Sequence, residues 1–454
     1  MKISIPVYFY KKTFHNVLWE KALRKEAISL YSKNILALLN LDYKEITVSN
    51  EIIENESDYV IVGETNPEHD RYCPQCGARG EVKEKIQLLQ KLSIAKFHQK
   101  NLNILITKRR FKCKNCGISR TQSLPYIEKS REITNDAYLA IYDDCKKIIS
   151  FSDIAREHNV SVTTVINVFD KMCFEKPLAL RICICVDEFY FKVTKYNKFP
   201  VVISDAKSGR ILDIVHSRKK AYLDEYFSKK NLTERETVKF FSCDLNDTYR
   251  KCAHKRLPNA IVIADFFHVT KLLTTILDKK RVRFMNQVEK HSFEYKFLKR
   301  KWRYFLMSNK RLLESNEIIK DPNGKNYFIS EYIYNVVKKN DEFLEMYLIY
   351  RDYGWLMSEK KGTDKNTITR NLEFLINKCL TSIHNDVIIL GNTLLDRSEE
   401  IINAYSEENK YNISNGIAEC NNNRIEKLIE VGNGYRNLNR LKKRVLLIEK
   451  TRTK

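Results

Sequence analysis

Ile182-Cys183-Ile184-Cys185-Val186-Asp187, Val238-Lys239-Phe240-Phe241-Ser242-Cys243-Asp244 and Ile261-Val262-Ile263-Ala264-Asp265 follow one pattern: an apolar, β-rich run stops on an aspartate. A buried strand ends on a carboxylate only at a desolvation cost, unless a metal, a partner or solvent compensates. Loops favour Asp, so any single instance is ordinary. Three instances within about eighty residues predict an acidic cluster at one end of a sheet. Divalent-metal phosphoryl-transfer chemistry requires such a cluster.

Outward from these runs, strand and helix alternate. Arg181–Val193, Phe199–Asp205 and Arg210–Ser217 read as three strands, with Lys207-Ser208-Gly209 as the turn between the last two. A helix Lys219–Lys229, a strand Thr237–Cys243, a helix Asp247–His254 and a strand Ala260–Ala264 follow, and the chain is helical again from His268. Three strands by hairpin, then helix–strand–helix–strand–helix, is the order of the ribonuclease H-like fold. There the first and fourth strands are neighbours, so Asp187 and Asp244 meet; this is a fold-level analogy. Glu188 should point to the other face of its strand. From about Lys271 to Asn403 the chain reads as an all-α insertion, basic and aromatic, as in Lys299-Arg300-Lys301-Trp302-Arg303-Tyr304-Phe305. Lys301 and Arg303 there suit a surface that tracks a DNA backbone, or equally a solvated helix face over core aromatics.

The composition agrees with a nucleic-acid partner. The 454 residues allow roughly three domains, and a formal charge of +23 calls for a polyanion. No uncharged apolar run approaches the roughly eighteen residues of a membrane span, and the start, Met1-Lys2-Ile3-Ser4-Ile5-Pro6, has no signal-peptide core. Several of the 12 cysteines sit singly in apolar strands, which predicts a reducing cytoplasm with one special set of four, and with a DNA partner the expected location is cytoplasmic and nucleoid-associated.

That set is Cys73-Pro74-Gln75-Cys76-Gly77 and Cys113-Lys114-Asn115-Cys116-Gly117. Two C-x-x-C-G turns at hairpin tips put four thiolates within reach of one structural Zn²⁺, the pattern of a zinc ribbon. Each Gly permits the tight turn that brings amides to the sulfurs. A redox pair would need only one such turn. Lys108-Arg109-Arg110 and Arg120 could touch phosphates or lie on ordinary solvated surface. Before the ribbon, a helix Phe14–Leu41 and extended segments Tyr43–Val48 and Tyr59–Val62 carry no chemistry. After it come a helix Asp136–Ile149, a short helix capped by Ser152, and a third helix Val162–Phe169 capped by Ser161. With Ala155 at the crossing and Val160, Val165 and Val168 inward, this is a helix-turn-helix. Thr163, Thr164 and Asn167 face outward, with Arg156 on the preceding helix.

The last block opens Ser414-Asn415-Gly416-Ile417-Ala418-Glu419, a helix start capped by Ser414 or Asn415, with Asn422 and Asn423 one turn beyond Glu419. Gly432-Asn433-Gly434-Tyr435-Arg436-Asn437 breaks that helix, and a basic run Arg440–Arg444 finishes the chain.

Taken with the cysteine turns, the helix-turn-helix, Val186-Asp187-Glu188 and Pro258-Asn259-Ala260 through Asp265-Phe266-Phe267-His268-Val269, this block resembles DDE-type insertion-sequence transposases of the ISL-three group. The resemblance runs from roughly Leu38 to the end. It implies binding of double-stranded DNA, both terminal inverted repeats and target, and Mg²⁺- or Mn²⁺-dependent strand cleavage and transfer by a homodimer or larger assembly. It implies a metal-binding triad of Asp187, Asp244 and Glu419. One ion would be shared by Asp187 and Asp244 and a second by Asp187 and Glu419. Asp265 and His268 match a D-x-x-H and read as a supporting pair; otherwise His268 is a core histidine satisfied by Asp265. Cys420 stands where the family usually has Gly, and Glu426 where it usually has a basic residue. The expected domains are residues 1–66 (helix and strands), 67–127 (ribbon), 128–176 (helix-turn-helix), 177–270 (core, first part), 271–404 (insertion) and 405–454 (Glu419 helix and basic tail). The competing readings are an inert DNA-binding regulator, and a repair or resolvase-type nuclease on the same fold.

Overall fold

The computed structural model describes residues 36–37, 41, 44–91, 100–124, 133–174, 176–192, 198–358, 364–405, 409, 411, 413, 415–432 and 435–452. The helix expected from Phe14 lies outside the described residues, apart from helical Leu36 and Ala37 near its end. Two compact units divide the chain, Met1–Phe174 and Glu175–Lys454.

In the first unit, strands β1 (Ile46–Glu54), β2 (Asp58–Thr65), β3 (Gly80–Lys91) and β4 (Asn101–Cys113) pair in the order β1-β2-β4-β3. A short β5 (Ser119–Thr121) pairs with β4. These strands outrun the expected segments because ladder partners, not residue preference, set their ends. Ile46, Val48, Ile61, Ile104 and Ile106 alternate inward and bury with Leu36, Leu41 and Leu124. Arg109 is neither a phosphate contact nor solvated surface. It is buried, donates to the Thr65 carbonyl at 2.5 Å and pairs with Glu64.

Three helices follow, α1 (Asn135–Asp144), α2 (Phe151–Glu157) and α3 (Val162–Met172). The first ends well short of Ile149, where Asp144 pairs with His158 of the α2 end at 2.8 Å. Ser150, not Ser152, caps α2 by accepting from the Asp153 amide at 2.9 Å. Asn159 takes the left-handed turn with φ 49°, a conformation Asn tolerates. Ser161 then caps α3. Ile154, Ala155, Val165, Val168 and Phe169 are buried, whereas Val160 is half-buried.

The second unit is built on a five-stranded sheet in the order β10-β9-β6-β7-β8, formed by β6 (Cys183–Glu188), β7 (Val201–Asp205), β8 (Ile211–Val215), β9 (Phe240–Cys243) and β10 (Ile261–Ala264). β6, β9 and β10 run parallel, while β6-β7-β8 is an antiparallel meander. Alternation along β6 splits the core. Ile184 and Val186 bury against α4 (Lys220–Ser228) and α6 (Asp247–Arg256), and Cys183 and Cys185 bury on the opposite face. A short α5 (Leu232–Glu236), passed over in the sequence, precedes β9.

From α7 (Phe266–Gln287) to α15 (Ser398–Tyr405) the chain is predominantly helical, through α8 (Phe293–Arg300), α9 (Trp302–Phe305), α10 (Asn309–Leu313), α11 (Ile329–Val337), α12 (Asp341–Ser358), α13 (Lys365–Leu380) and α14 (Asn385–Asp396). The all-α expectation needs one correction. β11 (Ile318–Lys320) and β12 (Asn326–Phe328) form a hairpin whose turn holds Gly324 at φ 85°. The segment Asp321-Pro322-Asn323-Gly324 was a legible turn signal.

Two final helices close over the meander. α16 (Gly416–Val431) and α17 (Leu438–Thr451) bury Ile425, Leu428, Leu438, Leu441 and Val445 against Val202, Ile211 and Ile214. The basic run is part of this packing rather than a free tail: Arg444 is fully buried and donates to the Tyr435 hydroxyl at 2.6 Å, and Lys442 pairs with buried Asp213 at 2.6 Å. No helix among the described residues is long and apolar enough to cross a membrane.

Candidate functional site

The parallel register sets Cys183 opposite Phe240 and Cys185 opposite Ser242. Continued by two residues, it brings Asp187 abreast of Asp244, one strand spacing away. Ala264 faces Cys243 on the other side, so Asp265 falls in the same row. By strand alternation Asp187 and Asp244 leave the sheet on the face that carries Cys183 and Phe240. Burial raises the Asp187 carboxyl to about 7, and the neighbouring Glu188 and Asp244 charges add to the rise. Asp244 is raised too, chiefly by burial.

Asp265 caps α7, accepting from the Phe267 amide at 3.3 Å and from His268 Nδ1 at 2.7 Å. That bond raises the His268 pKa. His268 is half-buried, neither fully enclosed in the core nor freely exposed. Asp244 and His268 line an open cavity of about 440 Å³ with Asn246, Lys271 and Thr275.

Glu188 takes the other face. Its carboxylate accepts from Arg218 at 2.7 Å and from the Tyr249 hydroxyl at 2.5 Å. The fourth element at the site is α16. Asn422 donates to Asp187 Oδ2 at 2.9 Å and to the Glu188 carbonyl at 3.1 Å, and Asn421 donates to Ser204 Oγ at 2.8 Å. Glu419 lies in the first turn of α16 and is half-buried. Asn415 caps that helix through its carbonyl; its side chain makes no cap bond. The carboxylates of Asp187, Asp244 and Glu419 do not converge within 4.8 Å of one another. Among the described residues only the cysteine quartet does so. Arg218 and Tyr249 went unread in the sequence, and Asn422 was noted there only for its helical spacing from Glu419, without a partner.

The quartet is built twice over. In each C-x-x-C-G turn the Gly amide bonds the carbonyl of the first Cys, Gly77 to Cys73 at 2.9 Å and Gly117 to Cys113 at 3.0 Å. Both glycines take positive φ, 69° and 73°, where a side chain would strain the turn. The Cys116 amide, aimed at the Cys113 sulfur, holds that thiol down to about 6. Sulfur separations of 3.4, 3.5 and 3.8 Å across the turns match the roughly 3.8 Å expected for thiolates about 2.3 Å from a tetrahedral ion. The four-cysteine cluster is compatible with zinc.

Of the remaining named residues, Thr163 and Asn167 are exposed on α3, Thr164 is half-buried and bonds Ser161, and Arg156 pairs with Asp153 at 2.9 Å. Arg303 is exposed over the Trp302 ring, whereas Lys301 is tied to Glu317.

A model of a transposase family matches residues 184–445, from β6 into α17, which takes in the carboxylate site but neither the cysteine quartet nor α1 to α3. Transposases cut and transfer DNA. The chain belongs to that family, the ISL-three group of DDE transposases. A comparison with curated proteins finds no match.

Proposed function

We propose that this transposase binds the terminal inverted repeats of its own insertion sequence and cleaves and joins DNA strands with Mg²⁺ or Mn²⁺ held by Asp187, Asp244 and Glu419. The observation that carries the reading is the register: half-buried Asp187 and Asp244 fall in one row at the ends of adjoining parallel strands, both with raised affinity for protons. Two desolvated carboxylates side by side are unfavourable alone and favourable around a hard cation, and their all-oxygen donor set suits Mg²⁺ or Mn²⁺. The whole core reads as ribonuclease H-like on its strand order. Bound there, a divalent ion would supply Lewis-acid activation of the attacking hydroxyl and neutralise charge on the phosphate. The chain's own residues do the rest. Asp265 orients His268, which holds a proton beside the phosphate, and the Glu188–Arg218–Tyr249 contacts fix the end of β6. The cysteine quartet reads as a zinc ribbon, and α2-turn-α3 as a helix-turn-helix presenting Thr163, Thr164 and Asn167, with Arg156, to DNA. Lys301 and Arg303 are proposed backbone contacts, and Arg303 is the better placed because Lys301 is already paired.

The test is a labelled inverted-repeat duplex with Mn²⁺. Nicking at the repeat boundary is expected, lost by at least about a thousandfold in Asp187→Ala. Binding without nicking, unchanged by that substitution, would overturn the enzyme reading. It would instead favour an inert end-binding protein.

A further inference from the structure

Asn422 lies 235 residues from Asp187 in sequence, yet it is the side chain that ties α16 to the end of β6. The Asp187 carboxylate is held from two directions, Oδ1 accepting from the Glu188 amide at 2.9 Å and Oδ2 from Asn422 Nδ2 at 2.9 Å. One hydrogen bond to each oxygen fixes the plane of the group and leaves each a lone-pair direction for another partner. The same Nδ2 bonds the Glu188 carbonyl at 3.1 Å, so the amide spans the Asp187–Glu188 peptide and its own orientation is set. Asn422 is 7% exposed, and its Oδ1 is buried with no partner among the described residues. A buried acceptor left unmade carries a desolvation cost that a packed helix does not ordinarily retain.

We infer that Asn422 is a positioning residue for strand cleavage: it orients Asp187 toward the divalent ion, locks the Glu419 helix to that carboxylate, and offers Oδ1 to a hydroxyl donor that the loaded site brings, water or a DNA 3′-OH. The inference rests on the assignment of Asp187 as a metal-binding acid. A neutral amide suits the place, since another carboxylate would repel Asp187 and a cation would compete with the metal. Groups that orient metal-binding carboxylates typically contribute tenfold to a hundredfold to metal affinity or activity.

The test uses the full-length protein with Asn422→Leu, which keeps the volume and removes both hydrogen-bonding ends, and Asn422→Ser, which stays polar but is too short to reach Asp187. The Mn²⁺ concentration for half-maximal thermal stabilisation is expected to rise about tenfold or more in both variants. At saturating Mn²⁺ the nicking kcat should fall about tenfold to a hundredfold, while KM for the inverted-repeat duplex stays within about twofold. Should the leucine variant not fold, the serine variant decides alone. A merely structural role predicts lower melting temperature and weaker DNA binding with unchanged Mn²⁺ half-saturation. That result, or wild-type behaviour in both, overturns the inference. Asp187→Asn runs alongside. If it still nicks, the assignment of the acids has failed; if it is inactive while the Asn422 variants are not, only the positioning role has.

Discussion

Asp187 holds its proton to about neutrality because burial penalises its charge before any neighbour does. A carboxylate raised in the folded state contributes stability that is full below its unfolded value near 3.9 and is lost as pH rises through about 7. A divalent ion binds the deprotonated form, so metal and proton compete. Mn²⁺ is therefore expected to raise the melting temperature more at pH 8 than at pH 5.5, with protons released on binding. An equal shift at both pH values would contradict the metal assignment of Asp187. His268 shows the opposite dependence of charge: its bond to Asp265 extends the cationic range upward, and that stabilisation is lost as pH rises through the raised value. Replacing Asp265 by Asn should lower the upper pH limit of nicking while leaving DNA binding intact.

Among the elements, the cysteine turns and α3 carry separable predictions. Cys113→Ser removes the sulfur that the Cys116 amide stabilises as thiolate. One zinc per chain is expected in the wild-type protein and none in the variant by metal analysis; full retention would refute the site. For α3, its own surroundings set the limit. Across α1 to α3, Asp136, Asp143, Asp144, Asp153, Glu157 and Asp170 outnumber Lys146, Lys147, Arg156 and Lys171. A segment without excess cations supplies base contacts but few phosphate contacts. Asn167→Ala should therefore weaken inverted-repeat binding by about 1–3 kcal/mol, leaving non-specific binding and the salt slope unchanged. Equal losses on both kinds of DNA would place Asn167 at the phosphates.

At the scale of the molecule, limited proteolysis is expected to cut near residue 175 and release two resistant parts, because the division between the two compact units falls there. Much of this organisation was legible beforehand. Runs ending on Asp187, Asp244 and Asp265 gave the three parallel strands, since fully buried strands must be apolar throughout and must stop where charge begins. The C-x-x-C-G spacing was equally direct. Long-range polar partners were not legible: Asn422 with Asp187, Lys442 with Asp213 and Glu64 with Arg109 pair across tens to hundreds of residues. A polar residue read alone looks solvated until the fold buries it with a partner. Cap choice failed for a similar reason, with Ser150 and Ser152 being chemically alike and only the turn after Asp144 selecting between them.

The buried face of β8, an edge strand, is closed by the last helix, whose Glu449 accepts from the Ile211 amide at 3.2 Å. Open strand edges recruit other chains. During translation that edge exists for as long as it takes to make residues 216–449, and so does a row of aspartates without Glu419. On the proposed assignment, a nascent or prematurely stopped chain is sticky and unable to cut.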